Sequence, residues 1–418
     1  MALPPHVGPA RQYQKGLCGT ILLLRYLRGS VIPRVLPWAA LAAGYTAVLH
    51  SQVSCNVWPT FCSNGHPDLG RDAERPFLFV HTYSYHAILL ASGFGLVFRL
   101  NHSLARYWEA RSAIQAMAAK WCDMVLMAIA FDEAVDAADA QRRQCNEFAC
   151  CMVHLMSLLH AVAIHTLRSD ATLDTMQKRS TLAPQRPVEG GTKDCASPFS
   201  FTAPDEYLQS TNAPIEFIGG LEAVETAELL QHAERLHIVL QWITRLLVRR
   251  RRSGGLAVEA PVFSRLHQFL SDGNLYYAAA LKVMDTPFPL PYAQINALIC
   301  FVNLCLFPVI VADKISSLPL ATAVSFCAIG FLFALNEVAR DLEDPFAAAR
   351  SSSCLMGANN LHGPRMQQHF DARLYAIGRI DKAGGRLSYG PFLREALAGG
   401  TPTSSVAEEV EVVVSSGK

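Results

Sequence analysis

The sequence predicts an all-α, multi-pass membrane protein: four apolar spans joined to long helices outside the bilayer. Two observations predict it. Only 17% of the 418 residues are charged, against about 25% in an ordinary soluble domain, while 51% are hydrophobic and the mean hydropathy is +0.20. The charge is also unevenly spread, since residues 35–67, 76–98, 148–167, 286–312 and 315–336 contain no Asp, Glu, Lys or Arg. A hydrocarbon layer ~30 Å thick needs about 20 such residues to cross it. A net charge of +1, from 36 basic and 35 acidic residues, excludes the uniform positive field of a general nucleic-acid binder and implies no acidic partner.

Residues 1–27 form a basic segment with Arg11, Lys15 and Arg25 and no acid, which fits either an organelle-targeting segment or a basic flank on the cytoplasmic side. The spans fall at about 32–50, 77–98, 292–312 and 317–336. Residues 148–167 are apolar enough to be a fifth, but they carry His154, Ser157, His160 and His165, and polar groups are costly in lipid. That stretch is expected as a buried helix whose histidines are satisfied core residues. Arg25, Arg28 and Arg34 precede the first span, and Arg99, Arg106 and Arg111 follow the second. Both termini and the middle region are therefore expected on the cytoplasmic or equivalent side.

Between the second and third spans, residues 101–285 read as long polar helices. Leu221, Val224, Leu229, Leu230, Leu236, Val239, Leu240, Ile243, Leu246 and Leu247 recur at helical spacing, and that helix is expected to end near Arg252-Ser253-Gly254-Gly255. The run from Arg249 to Arg252 reads as a solvated helix end or a site for anionic headgroups. A Pro-, Gly-, Ser- and Thr-rich insertion at 182–212 reads as a loop, and 351–418 as a polar tail, disordered from 401 onward.

Of the twelve cysteines, Cys122, Cys150, Cys151, Cys300, Cys305 and Cys327 lie in apolar runs and read as packing residues. Cys55 and Cys62 lie in a polar segment between spans, as two free thiols or as a pair if that segment faces an oxidising compartment. No metal-ligand spacing, Gly-rich phosphate loop, Gly-x-Ser-x-Gly elbow or His-Glu-x-x-His pair is present, so catalysis is not expected. A proton-coupled carrier would need ionisable residues inside a span, and His81 and His86 are the only candidates.

Three places stand out. The second span runs without a break into Phe98-Arg99-Leu100-Asn101 and on to Arg106-Tyr107-Trp108-Glu109-Ala110-Arg111, where Arg106 and Glu109 are spaced to pair and the aromatics suit the headgroup zone. Pro287, Pro289 and Pro291 around Phe288 predict an extended approach to the third span, tolerated at that depth only beside protein or a water-filled cavity. After the fourth span, Asp341, Glu343 and Asp344 precede Pro345-Phe346 and offer oxygen ligands of the kind Ca²⁺ takes.

At these places the sequence resembles the bestrophin family of anion channels, in its bacterial, plant and algal branch. The resemblance begins at Arg28-Gly29-Ser30-Val31-Ile32-Pro33. It continues through Phe98, Arg99, Asn101, Arg106, Trp108, Glu109 and Arg111, then Pro289-Leu290-Pro291-Tyr292-Ala293-Gln294, and closes with Asn336-Glu337-Val338-Ala339-Arg340-Asp341-Leu342-Glu343-Asp344-Pro345-Phe346. It implies one channel domain over 28–350, assembled as a homopentamer around a central pore for chloride and other monovalent anions, with bicarbonate among them in algal relatives. It also implies an integral location in a lipid bilayer, plasma membrane or chloroplast thylakoid. In the family the second span lines a narrow neck, and two stripes here have the spacing for it: Leu90, Phe94 and Phe98, or Ala87, Ala91 and Gly95. Phe288 falls where the family places its cytoplasmic aperture. Animal relatives carry further acids after Pro-Phe and bind Ca²⁺ there, whereas this chain has Ala347-Ala348-Ala349-Arg350, so Ca²⁺ gating and any other cofactor are not expected. The competing expectation, from a different class, is a membrane scaffold that holds partners with 182–212 and the tail.

Overall fold

The structure, a computed structural model, describes residues 30–50, 83–132, 139–170, 172–179, 214–315, 317–346 and 361–378. Arg28, His81, Cys55, Cys62, the 182–212 insertion, Ala347 to Arg350 and the 401–418 tail lie outside them. The described residues form helices α1 (Ile32–His50), α2 (Tyr83–Phe131), α3 (Asp139–Leu167), α4 (Ala223–Gln231), α5 (Arg235–Arg252), α6 (Ala260–Asp285), α7 (Leu290–Lys314), α8 (Leu318–Glu343) and α9 (Gly363–Gly378). Strands β1 (Met176–Lys178) and β2 (Ile215–Phe217) complete them. The chain divides into two compact units, one of Arg11–Arg111 and Lys282–Leu361, the other of Met1–Ala10, Ser112–Leu281 and His362–Lys418. Helices α2 and α6 run from one unit into the other.

The first unit holds α1, the start of α2, α7 and α8. On α1, Val35, Ala39, Ala42 and Thr46 recur at three- and four-residue intervals and are buried. The opposite positions Leu36, Leu41, Tyr45 and Val48 are exposed. An apolar core of Val35, Ala42, Leu96, Cys300, Leu304, Ile329, Leu332 and Phe333 joins the four helices. Trp38 stacks on Phe333 at 5.2 Å, and Gly330 lets α8 approach α1 so closely that a Cβ there would stand 3.3 Å from that of Ala39. Cysteine behaves as the sequence predicts at Cys300, Cys122 and Cys151, which are buried, but Cys305 and Cys327 are exposed on their helices.

Prolines punctuate the spans as their chemistry requires. Thr286 to Pro289 is not helical, Pro289 caps the start of α7, and Pro319 lies in the first turn of α8, where a missing N–H costs nothing. The expected extended approach is shorter than predicted, because Pro291 is accommodated inside the first turn of α7. Pro37 and Pro308 lie within helices, each removing one backbone bond.

The second unit is built around α3, whose residues 151–165 are all buried. Among the described residues five helices are long and apolar enough to cross a bilayer, but the apolar window in α3 is 89% buried, against 22–39% in α1, α2, α7 and α8. Its histidines are buried among partners within the chain, as expected. His154 is bonded to the Ile218 carbonyl at 2.8 Å and to Glu225 Oε1 at 3.0 Å. His160 stacks on Phe370 with ring centroids 4.2 Å apart and is bonded to Gln367 Oε1 through Nδ1 at 2.6 Å. Helix α9 docks on α3 through Asp371, which accepts from Ser157 Oγ at 2.6 Å, Gln367 Nε2 at 2.8 Å and Arg179 at 3.3 Å.

Three expectations need correction here. The fold is nearly all-helical rather than all-α, because β1 and β2 pair in parallel with Met176 opposite Ile215. Three residues on each side carry too little pattern to read locally. The helix expected through 221–252 is two helices, α4 and α5, parted at His232 to Glu234. Buried Glu225, Leu229 and Leu236 keep helical phase across the gap, so periodicity does not reveal it. The predicted end is right: Gly254 takes φ +87° and the Ser253 and Gly255 amides close on the Arg249 and Arg250 carbonyls. The basic run there is not wholly solvated, because Arg250 is 2% exposed and its Nε donates to Asp132 at 2.8 Å.

Candidate functional site

Helix α2 presents two different faces. Leu90, Phe94 and Phe98 are 64%, 58% and 58% exposed in the single chain, while Tyr85, Ser92, Leu96, Arg99 and Ser103 are buried on the other side. Of the alternative stripe, Ala87 and Ala91 are exposed, but Gly95 is packed: a Cβ there would lie 3.3 Å from Asn296 Oδ1 and 3.6 Å from Ile299 Cδ1 of α7. Gly95 thus belongs to a helix–helix contact. His86 is exposed on the same helix.

Arg34, Arg99 and Arg106, at one end of these helices, are each held. Arg99, 4% exposed, donates from Nε to Glu343 Oε1 at 2.7 Å and from Nη1 to Asn336 Oδ1, and its guanidinium lies over the Phe288 ring, 5.6 Å from the centroid. Arg34, on α1, forks onto Asp341 and reaches Glu337 at 3.1 Å. The pairing of Arg106 with Glu109 does not occur. Arg106 donates instead to the carbonyls of Val283 at 2.9 Å, Thr286 at 2.7 Å and Glu343 at 3.1 Å, while Glu109 takes Lys282 at 2.6 Å. The physical reason is that the ends of α6 and α8 carry carbonyls with no helical partner, and a five-donor fork satisfies several at once.

The remaining motif residues lie around this set. Ser30 Oγ accepts from the Ile32 amide at 3.2 Å at the start of α1. Phe288 is half-buried, its ring 5.8 Å from that of Tyr292. Asn101, Trp108, Pro289 and Gln294 are exposed, Arg111 and Asp344 partly buried, and Pro345 and Phe346 buried. Among the described residues no three His, Cys, Asp or Glu side chains gather to hold a metal ion.

Sequence reasoning missed a polar seam inside the spans. Asn303 Oδ1 accepts from Tyr85 Oη at 3.1 Å, and its Nδ2 donates to Ser92 Oγ at 2.8 Å. Two Asn, Asn296 and Asn303, in a charge-free run are the signal that was available, since polar side chains within lipid are buried against partners.

Long apolar helices with exposed apolar faces, polar groups turned inward and arginine–carboxylate locks at one end define an integral membrane protein of the helical class. The sequence matches bacterial and fungal bestrophin proteins over residues 13–353, and the chain belongs to that family. It is a family of anion channels, not of enzymes. The fold is similar to the crystal structure of a bacterial bestrophin homologue from Klebsiella pneumoniae, with TM-score 0.56, 14% identity, and coverage of 84% of this chain and 99% of that one. A crystal structure described only as a membrane protein gives TM-score 0.57 at 14% identity, over 83% and 99% of the two chains. No curated protein matches the sequence.

Proposed function

We propose that the protein is a passive channel for chloride, with bicarbonate as a second permeant anion, formed by five copies of the chain around one pore. Four helices of each subunit, α1, α2, α7 and α8, cross the plasma or thylakoid membrane. The observation that carries the reading is the uncovered Leu90, Phe94 and Phe98 stripe on a helix whose other face is fastened. Five such stripes make an apolar neck that gates by dewetting. The packed position of Gly95 favours this stripe over Ala87, Ala91 and Gly95. No Lys or Arg lies on the neck, and the charge of Arg99 beside it is engaged by Glu343. Anion preference then comes from weaker sources: the N-terminal dipole of α7 and the aromatic edge of Phe288 at the cytoplasmic aperture.

Reconstitution in liposomes tests the reading. The wild-type protein should pass chloride when an anion gradient is imposed. Leu90→Ala, Phe94→Ala and Phe98→Ala together should raise the current severalfold, and Phe288→Ala should alter the ratio of anion permeabilities. A well-formed pentamer that carries no chloride or bicarbonate current would overturn it.

A further inference from the structure

The polar seam of Tyr85, Ser92 and Asn303 lies on the buried side of α2, away from the exposed stripe. Asn303 is fully buried and its carboxamide fully used, with Nδ2 also donating to the Ile299 carbonyl of its own helix at 2.8 Å. Ser92 Oγ is fixed in turn by donating to the Ile88 carbonyl at 2.7 Å. Farther along α7, Tyr292 Oη donates to the Gly95 carbonyl at 3.4 Å. Beside it, Asn296 Oδ1 faces Gly95 with no hydrogen-bond partner among the described residues.

Tyr85 and Ser92 are two turns apart and share a face, and Ser92 lies about 200° around the helix from Phe94. The seam therefore grips α2 on the side opposite the stripe. Lipid supplies no hydrophobic force between helices, so packing and interhelical hydrogen bonds set how a span is rotated about its axis. Gly93, next to Phe94, touches no other part of the chain: a Cβ there would meet nothing within 4 Å.

We propose that the Tyr85–Asn303–Ser92 seam is the positioning element that fixes the rotation of α2, aiming Leu90, Phe94 and Phe98 at the pore axis and so holding the neck toward its non-conducting state. This rests on the reading of α2 as the neck. Loosening the seam lets the stripe swing off axis and the neck wet.

Single-channel recording of the reconstituted full-length protein tests it. Asn303→Leu combined with Tyr85→Phe leaves no unpaired hydroxyl, and Tyr85→Phe alone repeats the test with Asn303 still bonded to Ser92. The open-to-closed ratio should rise by about threefold for one lost interhelical bond and towards tenfold for both, with unitary conductance unchanged. In the background of Leu90→Ala, Phe94→Ala and Phe98→Ala together, where the neck is already emptied, the same changes should add nothing. An unchanged or lower ratio in assembled channels overturns the inference, and so does an equal rise in that emptied background. Absence of any wild-type current would instead overturn the channel reading on which it rests.

Discussion

Arg34, Arg99, Arg106 and Arg250 look alike in the sequence and meet different fates in the fold. Arg34 and Arg99 close on carboxylates of α8, Arg106 gathers backbone carbonyls, and Arg250 is buried on Asp132 with both side chains under 4% exposed. The Asp132 pair is the most closely built: its Oδ1 also takes the Leu256 amide at 3.0 Å, and a Cβ on Gly255 would collide with both partners. Breaking a buried pair strands a charge, whereas replacing both members with apolar groups does not. Asp132→Ala should therefore destabilise the second unit by about 3–5 kcal/mol, and Asp132→Leu with Arg250→Met should recover most of that. Hydrogen exchange on α5 checks it, and a loss for Asp132→Ala no larger than that of the double variant would contradict it. These arginines were legible as a basic pattern, but their partners were not, because Arg106 and Glu109 sit at ideal local spacing and still choose groups more than 170 positions away.

At the scale of elements, α3 and α9 give the clearest case of a helix whose surroundings set its chemistry. Burial pushes Asp371 up to about 7 from 3.8, against the opposing pull of Ser157, Arg179 and Gln367. An acid raised on folding binds its proton more tightly in the folded state, so its contribution to stability falls as pH climbs from about 4 to about 7 and is level above that. Burial pushes His160 down to about 4 from 6.5, and its contribution runs the other way, lost as pH falls from 6.5 towards 4. Asp371→Asn should accordingly remove the loss of α9 protection between about pH 4 and 7 and leave the acid-side loss from His160 in place. Exchange rates on α9, corrected for intrinsic pH dependence, decide this; an identical profile in wild type and variant would count against it. The sequence correctly made the histidines of α3 core residues, since three of them in an apolar run need internal partners. It gave no hint that α9 supplies one of those partners, because Gln367 lies 207 positions from His160.

For the whole molecule, the locks on α8 bear on how the channel opens. Two of the three acids that precede Pro345 are already neutralised, Asp341 by Arg34 and Glu343 by Arg99, so neither carboxylate needs a cation for its charge. Current through the reconstituted protein is expected to be the same in EGTA as in micromolar Ca²⁺, and a requirement for Ca²⁺ would refute this. The charge-free runs, the unbroken passage of α2 out of its span, the proline before α7 and the end of α5 were all determined by the sequence alone. Each depends on hydropathy, periodicity or a fixed dihedral within a few neighbouring residues. Only the tertiary structure decided which face of α2 is fastened, where α4 stops, that β1 finds β2, and which acid each arginine keeps. Those outcomes turn on groups brought together from distant parts of the chain, and in a buried or lipid setting a polar group takes the partner that satisfies it most completely rather than the one nearest in sequence.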